Sequence, residues 1–275
     1  MGLDVPSHGI QGSEPIEYCG HFQPANDTFF EELTTPENIF PSIRRWDLAA
    51  MNQLPYYMKL CFLFLHNSIN EMAFEALRDK GVDVIKYLKK VWVDLCKAYM
   101  QEAKWYYIGY KATLQQYLDN AWISISGPVI LVHGYVFATS PIVMDDLESL
   151  VEYADIIRWS STILRLANDL GTSSDELERG DVPKSIQCYM KDNEVMENDA
   201  RDYIRHLIDD AWKKLNKVEA ENCVFSQVFI EMAKNLARMA QCMYQHRDGH
   251  GHGIEHQETK DRVVSLLIRP VPIQH

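Results

Sequence analysis

Three side chains that carry oxygen donors recur every four residues in the middle of the chain, at Asn168, Thr172 and Glu176. In a helix, positions four apart lie on one face, one turn above the next. An amide, a hydroxyl and a carboxylate suit a hard divalent cation, and Mg²⁺ binds a few protein oxygens together with water and substrate phosphate. The spacing therefore favours a site for such a cation.

Two basic residues accompany this triplet. Arg165 precedes Asn168 by three positions, so it shares the helix face, and its guanidinium could bind a phosphate oxygen through paired hydrogen bonds. Lys184 follows shortly after the triplet and offers a second phosphate contact. The set is typical of a site for a metal ion and a phosphorylated substrate.

Two other interpretations of the triplet stay open at this point. Polar residues at helical spacing also occur on solvated helix faces, and short motif matches often arise by chance. Ser173 and Glu176 also fit the start of a helix, with Ser173 as N-cap and Glu176 three positions later.

The elements that would position these residues are predicted to be helices. Apolar residues recur at intervals of three and four from residue 43 onward, without an alternating strand pattern of useful length. This periodicity predicts an all-α domain of eight to ten packed helices over 43–275, preceded by an irregular segment, 1–42, that is rich in Gly and Pro. The predicted helices are 46–80 with a break at Pro55, 82–107, 114–138 with a break at Ser126-Gly127-Pro128, 145–170, 175–190, 197–217, 225–245 and 257–268.

Composition excludes several classes of partner. The net charge is −12, which disfavours nucleic acid and anionic membranes as partners because both attract basic surfaces. The six cysteines are scattered, without a C-x-x-C pair, and are expected to be buried thiols rather than disulfides or zinc ligands. No apolar run is expected to span a membrane, and neither a signal peptide nor a transit peptide is legible.

Five stretches together suggest a family. They are RRWD (44–47), LCKAYMQEAKWYY (95–107), YLDNAWISISGP (117–128), IIRWSSTILRLANDLGTSSDELERGDVPKSIQCYM (156–190) and NLARMAQCMYQHRDGHG (235–251). In this order they resemble plant terpene synthases of the monoterpene type. The resemblance implies a class I terpenoid synthase-like helical bundle, which would be incomplete here.

The resemblance also assigns roles. The family's second metal motif, (N/D)D(L/I/V)x(S/T)xxxE, matches residues 168–176, so Asn168, Thr172 and Glu176 are expected to hold one Mg²⁺ (or Mn²⁺). Arg165 and Lys184 match family contacts to the diphosphate.

The implied reaction is the metal-dependent ionisation of geranyl diphosphate to an allylic cation, followed by cyclisation or deprotonation to a monoterpene. Such a carbon–oxygen lyase needs a dry cavity lined by apolar and aromatic groups, because water would quench the cation. Arg165 and Tyr244 are expected to act in catalysis, and Tyr99, Ser124 and Ile125 to contact substrate. For the aromatic residues, plain core packing is the alternative.

A Gly- and His-rich stretch, HRDGHGHGIEH (246–256), corresponds to the family loop that closes over the site. Asp248 in this stretch is expected to contact substrate. The four histidines of the stretch allow zinc binding as an alternative, although a mobile lid fits their Gly-separated spacing better.

The sequence departs from the family upstream of RRWD, where the DDxxD motif and the R-x-R motif are absent. Asp145-Asp146 does not replace DDxxD and is expected to complement a helix N-terminus. The alternative function is therefore a catalytically silent fragment that binds or pairs with a full-length synthase. A head-to-tail prenyl transferase is disfavoured by the plant synthase motifs.

Missing helices would leave apolar helix faces exposed, which predicts association with a like or unlike chain. The resemblance implies a plastid location, with the cytoplasm as the alternative because no transit peptide is legible.

Overall fold

The computed structural model describes residue 46 and residues 48–178, 180–221, 225–245, 261 and 264–265. Within these residues the chain forms a short 3-10 helix, Leu48–Gln53, and nine α-helices, so the all-α prediction is confirmed. The helices are α1 (Tyr56–Lys80), α2 (Ile85–Tyr107), α3 (Leu114–Ser124), α4 (Gly127–Ala138), α5 (Met144–Val151), α6 (Asp155–Glu178), α7 (Ser185–Asn193), α8 (Glu197–Ala220) and α9 (Gln227–Met243).

Local sequence explains several helix ends. The break expected at Pro55 is present, because the 3-10 helix ends at Gln53 and α1 begins directly after the proline. Helix α1 ends at Gly81, whose φ of 70° is a left-handed conformation that glycine adopts without steric cost. Thr113 and Gln116 form a capping box at the start of α3.

The apolar stretch 114–138 forms two helices that meet at a sharp break. Ser126 has a φ of 68°, and α4 restarts with Gly127 and Pro128. By length and composition alone, Leu114–Ala138 is long and apolar enough to cross a membrane, with a mean hydropathy of 1.5 in its most apolar 18-residue window. However, 56% of the apolar window is buried inside the protein, as in a core helix.

The prediction of a single helix over 145–170 is wrong. Two helices, α5 and α6, are separated by a turn in which Tyr153 has a φ of 64°. Long-range contacts hold this turn: the Tyr153 hydroxyl donates to Asp94 Oδ2 at 2.8 Å, and its ring meets Trp122 edge-on at 5.2 Å between centroids. Sequence periodicity does not report such contacts.

The helix predicted to start at residue 175 is also wrong, because α6 continues to Glu178 and the next helix begins at Ser185. Ser173 is consequently a buried residue inside α6 rather than an N-cap, and it is 1% exposed. Packing on several sides extends α6 through a polar segment that would favour a helix start in isolation.

Helix α6 is the central element of the described structure. It packs against α3, α4, α7, α8 and α9, and its apolar residues Ile163 and Leu166 are fully buried. The segment from Arg165 to Ser173 therefore lies inside the bundle, where surrounding helices fix its side chains.

Helix α1 lies at the periphery, against α2 and the 3-10 helix. Four of its residues are buried, whereas seven large apolar side chains are exposed: Tyr56, Tyr57, Leu60, Leu63, Phe64, Phe74 and Leu77. The association expected from the sequence would use this exposed apolar surface, and it stays a prediction. The domain boundary at residue 43 and nearly all of the helix expected at 257–268 lie outside the described residues.

The cysteines are only partly as expected. Cys188 is buried and Cys96 half-buried, but Cys61 and Cys242 are exposed, which corrects the expectation of buried thiols. Cys61 belongs to the peripheral helix α1, where little packs over it. Cys19 and Cys223 lie outside the described residues.

Candidate diphosphate and metal site

The oxygen triplet lies along the buried part of α6. Asn168 and Thr172 are 9% and 2% exposed, and the Glu176 side chain is 17% exposed, so the solvated-face interpretation does not hold. Thr172 Oγ1 and Glu176 Oε2 are buried without a hydrogen-bond partner among the described residues. Buried polar atoms without partners cost free energy unless a ligand satisfies them. Two unsatisfied oxygens one helical turn apart fit a hard cation.

Arg165 is fixed by contacts to two helices. Its Nε donates to the Ala121 carbonyl at 3.1 Å and its Nη2 to Ser124 Oγ at 3.1 Å, both on α3. Its Nη1 donates to Asn168 Oδ1 at 3.2 Å. Because a guanidinium can only donate hydrogen bonds, Asn168 is held with its amide oxygen, rather than its amide nitrogen, facing Arg165.

Asp169 is the fully buried carboxylate beside this cation. The Tyr117 hydroxyl donates to it, at 3.0 Å from Oδ1 and 2.8 Å from Oδ2, and the Ser185 backbone N–H donates to Oδ2 at 3.2 Å. Arg165 Nη1 lies 3.5 Å from Oδ1. Asp169 and Tyr117 are not among the site residues predicted from the sequence. The opposite charges of Arg165 and Asp169 at i and i+4 were the available signal for Asp169, whereas nothing in the sequence pointed to Tyr117.

Burial and charge act in opposite directions on Arg165. Burial alone would lower the pKa of its guanidinium, but Tyr117, Asp169 and Glu102 offset this and raise the pKa above its ordinary value. Burial, together with Asp169, also raises the pKa of Tyr117 well above 10. The arginine therefore stays positively charged, and the tyrosine stays a hydrogen-bond donor, over the whole physiological pH range.

Lys184 reaches the triplet through the turn between α6 and α7. Its backbone N–H donates to Gln187 Oε1 at 3.1 Å at the start of α7, and its side chain is 12% exposed. Its Nζ lies 3.6 Å from Glu176 Oε2, which is an ion pair but too long for a hydrogen bond. Arg165 and Lys184 thus both border the triplet.

Tyr244, the residue directly after α9, packs against Gly171 of α6. A Cβ placed on Gly171 would be 3.1 Å from the Tyr244 Cβ and 3.3 Å from its carbonyl oxygen. Gly171 therefore allows the close approach of this segment to α6, between Asn168 and Thr172. Tyr244 is half-buried, and its role in the site stays a prediction.

Three other predicted substrate contacts lie within the described residues, and they differ in how exposed they are. Ser124 is 2% exposed and faces Arg165, and its hydroxyl donates to Glu102 Oε1 at 2.5 Å. Ile125 is half-buried at the break after α3. Tyr99, on α2, is 49% exposed, and no hydrogen bond joins it to Arg165 or the triplet among the described residues.

Asp248 and the histidines at 246, 250, 252 and 256 lie outside the described residues, so the lid and zinc predictions stay predictions. In the described part of the chain, no group of three or more His, Cys, Asp or Glu side chains could hold a metal ion. The triplet contains a single carboxylate, and its oxygen donors suit Mg²⁺ or Mn²⁺ better than zinc.

Comparison with known proteins places the chain in context. The family model described as "Terpene synthase family, metal binding domain" matches residues 25–214, which include the triplet, Arg165 and Lys184.

Among curated relatives, Terpene synthase 10 of Ricinus communis is 65% identical over 233 residues, covering 84% of this chain and 42% of the relative. A chloroplastic myrcene synthase of Quercus ilex is 60% identical over 231 residues, covering 84% of this chain and 38% of the relative. The chain thus spans about two fifths of the length of these relatives.

Solved structures also match this chain, in fold as well as in sequence. A limonene synthase with 2-fluorolinalyl diphosphate superposes with a TM-score of 0.82 at 45% identity, covering 86% of this chain and 43% of that one. The isoprene synthase of grey poplar leaves, in complex with three Mg²⁺ ions and dimethylallyl-S-thiolodiphosphate, superposes with a TM-score of 0.78 at 42% identity, covering 85% and 44%.

Proposed function

This chain belongs to the terpene synthase family, and we propose that it forms the part of a monoterpene synthase site that binds the diphosphate of geranyl diphosphate together with one Mg²⁺. The observation that carries the proposal is a pair of buried oxygens, Thr172 Oγ1 and Glu176 Oε2, that have no hydrogen-bond partner among the described residues and are bordered by the two cations Arg165 and Lys184. Oxygen ligands without hydrogen-bond donors, next to fixed positive charges, are what a metal–diphosphate complex requires.

Asn168, Thr172 and Glu176 would hold the divalent ion, with Mn²⁺ as an alternative to Mg²⁺. A bound ion supplies Lewis-acid polarisation of the diphosphate oxygens. The solved isoprene synthase is in complex with three Mg²⁺ ions and a thiolodiphosphate, which supports a divalent cofactor for this chain.

Arg165 and Lys184 would bind the diphosphate oxygens. Negative charge accumulates on the diphosphate as the carbon–oxygen bond breaks, so fixed cations stabilise the transition state more than the ground state. Arg165 suits this role because its guanidinium stays charged and its contacts to α3 and Asn168 hold it in place before the substrate arrives.

The allylic cation must then be kept from water while it cyclises or loses a proton. Tyr244 and Ile125 are both half-buried, and they would form part of the apolar wall of the site, with Tyr99 and Asp248 as further proposed contacts. An aromatic face such as that of Tyr244 can also stabilise the cation directly. The ten-carbon substrate is proposed because several relatives carry the names of monoterpene synthases, among them an α-terpineol synthase of Vitis vinifera.

We also propose a plastid location, because several relatives, from Quercus ilex, Nicotiana suaveolens and Coffea arabica, are named chloroplastic. Expression of the tagged full-length coding sequence in leaf cells, followed by microscopy of whether the protein enters plastids, would test this location.

The central test compares the chain with its Glu176→Gln variant. Binding of inorganic pyrophosphate in the presence of Mg²⁺ is measured by titration calorimetry, and product formation from geranyl diphosphate by gas chromatography. We expect the variant to bind at least about tenfold more weakly, because it loses the only carboxylate of the triplet.

The matched control is Glu221→Gln, which makes the same chemical change at an exposed residue at the end of α8. It should bind as the parent does. Equal binding by the Glu176→Gln variant and the parent would refute the proposed site. Magnesium-dependent binding without product formation would assign this chain the binding role and the chemistry to additional polypeptide.

A further inference from the structure

A chain of hydrogen bonds leads from Arg165 to a carboxylate on a different helix. Arg165 Nη2 donates to Ser124 Oγ at 3.1 Å, and Ser124 Oγ donates to Glu102 Oε1 at 2.5 Å. Asn120 Nδ2 also donates to Glu102 Oε1, at 3.1 Å, and to the Ala98 carbonyl at the same distance. The half-buried Glu102 of α2 is thereby joined to α3, and through α3 to the guanidinium on α6.

The direction of these hydrogen bonds determines what Ser124 can do. Its hydroxyl has one proton, and a guanidinium has only donors. While the proton points at Glu102, the oxygen lone pairs are free to accept from Arg165. Among the described residues, the other acceptor in reach is the Ala121 carbonyl, 3.3 Å away, which already accepts from Arg165 Nε.

Loss of the Glu102 acceptor would therefore disturb Arg165 at two atoms. The Ser124 hydroxyl would turn toward the Ala121 carbonyl, where it competes with Nε, and it would no longer present its lone pairs to Nη2 in the same geometry. Only the contacts of Nη1 to Asn168 and Asp169, on the helix of Arg165 itself, would be unaffected.

We propose that Glu102 is a positioning residue for diphosphate recognition, which acts through Ser124 to set the orientation of the Arg165 guanidinium. The proposal deepens the function proposed above and rests on it. It also assigns Ser124 the role of an intermediate support rather than a substrate contact.

Positioning and charge predict opposite effects of removing Glu102. If only its negative charge mattered, removal would make the site more positive and strengthen diphosphate binding. If it positions Arg165, removal weakens binding, and an amide that keeps the acceptor oxygen restores it. The sign of the change therefore identifies the mechanism.

The experiment measures the Kd for inorganic pyrophosphate at a fixed Mg²⁺ concentration by titration calorimetry. We expect Glu102→Ala to raise the Kd about tenfold, because a charge-assisted hydrogen bond of the guanidinium loses its geometry. Glu102→Gln should stay within about threefold of the parent, since its amide oxygen can accept from Ser124. Ser124→Ala should match Glu102→Ala, and the double variant should lose no more than either single variant.

Asp94→Ala is the matched control on α2. Asp94 accepts hydrogen bonds from Lys90, Lys97 and Tyr153 but does not contact Arg165. It should lower the thermal midpoint and leave the Kd unchanged, which separates general destabilisation from positioning. Should Glu102→Ala fail to fold, the smaller change Ser124→Ala still decides the question by its Kd.

Three results overturn the inference: a Kd for Glu102→Ala equal to or below that of the parent, equal losses for the Ala and Gln variants, or additive losses in the double variant. A parent chain that does not bind pyrophosphate at all refutes the proposed function, and the role of Glu102 with it. Normal binding by the parent together with any of the three results refutes the role of Glu102 alone.

Discussion

Asp169 shows how one residue can organise a site without being assigned as a ligand. Its carboxylate accepts from Tyr117 on α3, from the backbone at the start of α7, and from Arg165 on its own helix. A buried carboxylate is tolerated only when such donors surround it. The same contacts fix Arg165 and the segment that carries Lys184, so both proposed diphosphate contacts depend on Asp169.

This arrangement predicts that Tyr117→Phe destabilises the protein by about 1–3 kcal/mol, because the buried carboxylate loses a hydrogen-bond donor that nothing replaces. Urea unfolding followed by circular dichroism at neutral pH measures the change.

Tyr110→Phe is the control for this prediction. The Tyr110 hydroxyl donates to Gln116 at 3.0 Å on the exposed surface, where water can replace the lost partner. Its removal should change the free energy of unfolding by less than about 0.5 kcal/mol. Equal losses in the two variants would show that the Asp169 contact contributes nothing specific.

At the scale of elements, the break between α3 and α4 depends on how closely α4 approaches α6. A Cβ on Gly127 would lie 2.2 Å from Ser161 Oγ and 2.6 Å from its Cβ, and Ser161 is fully buried. Gly134, two turns further along α4, would place a Cβ 2.3 Å from the sulfur of Met232, at the flexible end of a long side chain. The two glycines therefore differ in what a methyl group would displace.

We expect Gly127→Ala to lower the free energy of unfolding by about 1–3 kcal/mol, since the short Ser161 side chain cannot move away. Gly134→Ala should be close to neutral, because the Met232 side chain can rotate and alanine favours the helix by about 1 kcal/mol. Urea unfolding of both variants tests the contrast.

A second substitution, at Ser161, tests whether a steric clash is the cause of the expected loss of stability in Gly127→Ala. Ser161→Gly removes the two side-chain atoms that the new methyl group would meet, so it should partly restore the Gly127→Ala variant. Restoration by Ser161→Gly is incompatible with a purely conformational effect at Gly127, and its absence would contradict the steric explanation.

At the scale of the whole molecule, the site and the periphery differ in how many other elements pack against them. Helix α6 is packed by five other helices, whereas α1 rests on α2 and the 3-10 helix, and Lys80 ties its C-terminal end to carbonyls at the end of α4. Local stability follows the number of buried contacts that must be broken.

Hydrogen exchange read by mass spectrometry should therefore find faster amide exchange in α1 than in α6. Peptides from the middle of each helix, 60–72 and 160–172, allow a comparison away from the fraying ends. Equal protection of the two helices in a dilute sample would mean that α1 is covered by further contacts, such as those of an associated chain, and a concentration series would reveal that association.

The sequence by itself determined the residues that share a helix face. Asn168, Thr172 and Glu176 are neighbours on α6, with Arg165 one turn before them, because helix geometry follows directly from spacing along the chain. The helical class of the fold followed from the apolar period for the same reason. These are local properties, and they do not depend on the rest of the molecule.

Only the tertiary structure decided which helices meet at that face. It brought Lys184 to Glu176, placed Tyr117 on Asp169, and turned Ser124 toward Arg165 and Glu102. It also divided the helix expected at 145–170 and extended α6 across Ser173. Each of these outcomes depends on side chains far apart in the chain, whose contacts form only when the helices pack and bury polar groups that must then find partners.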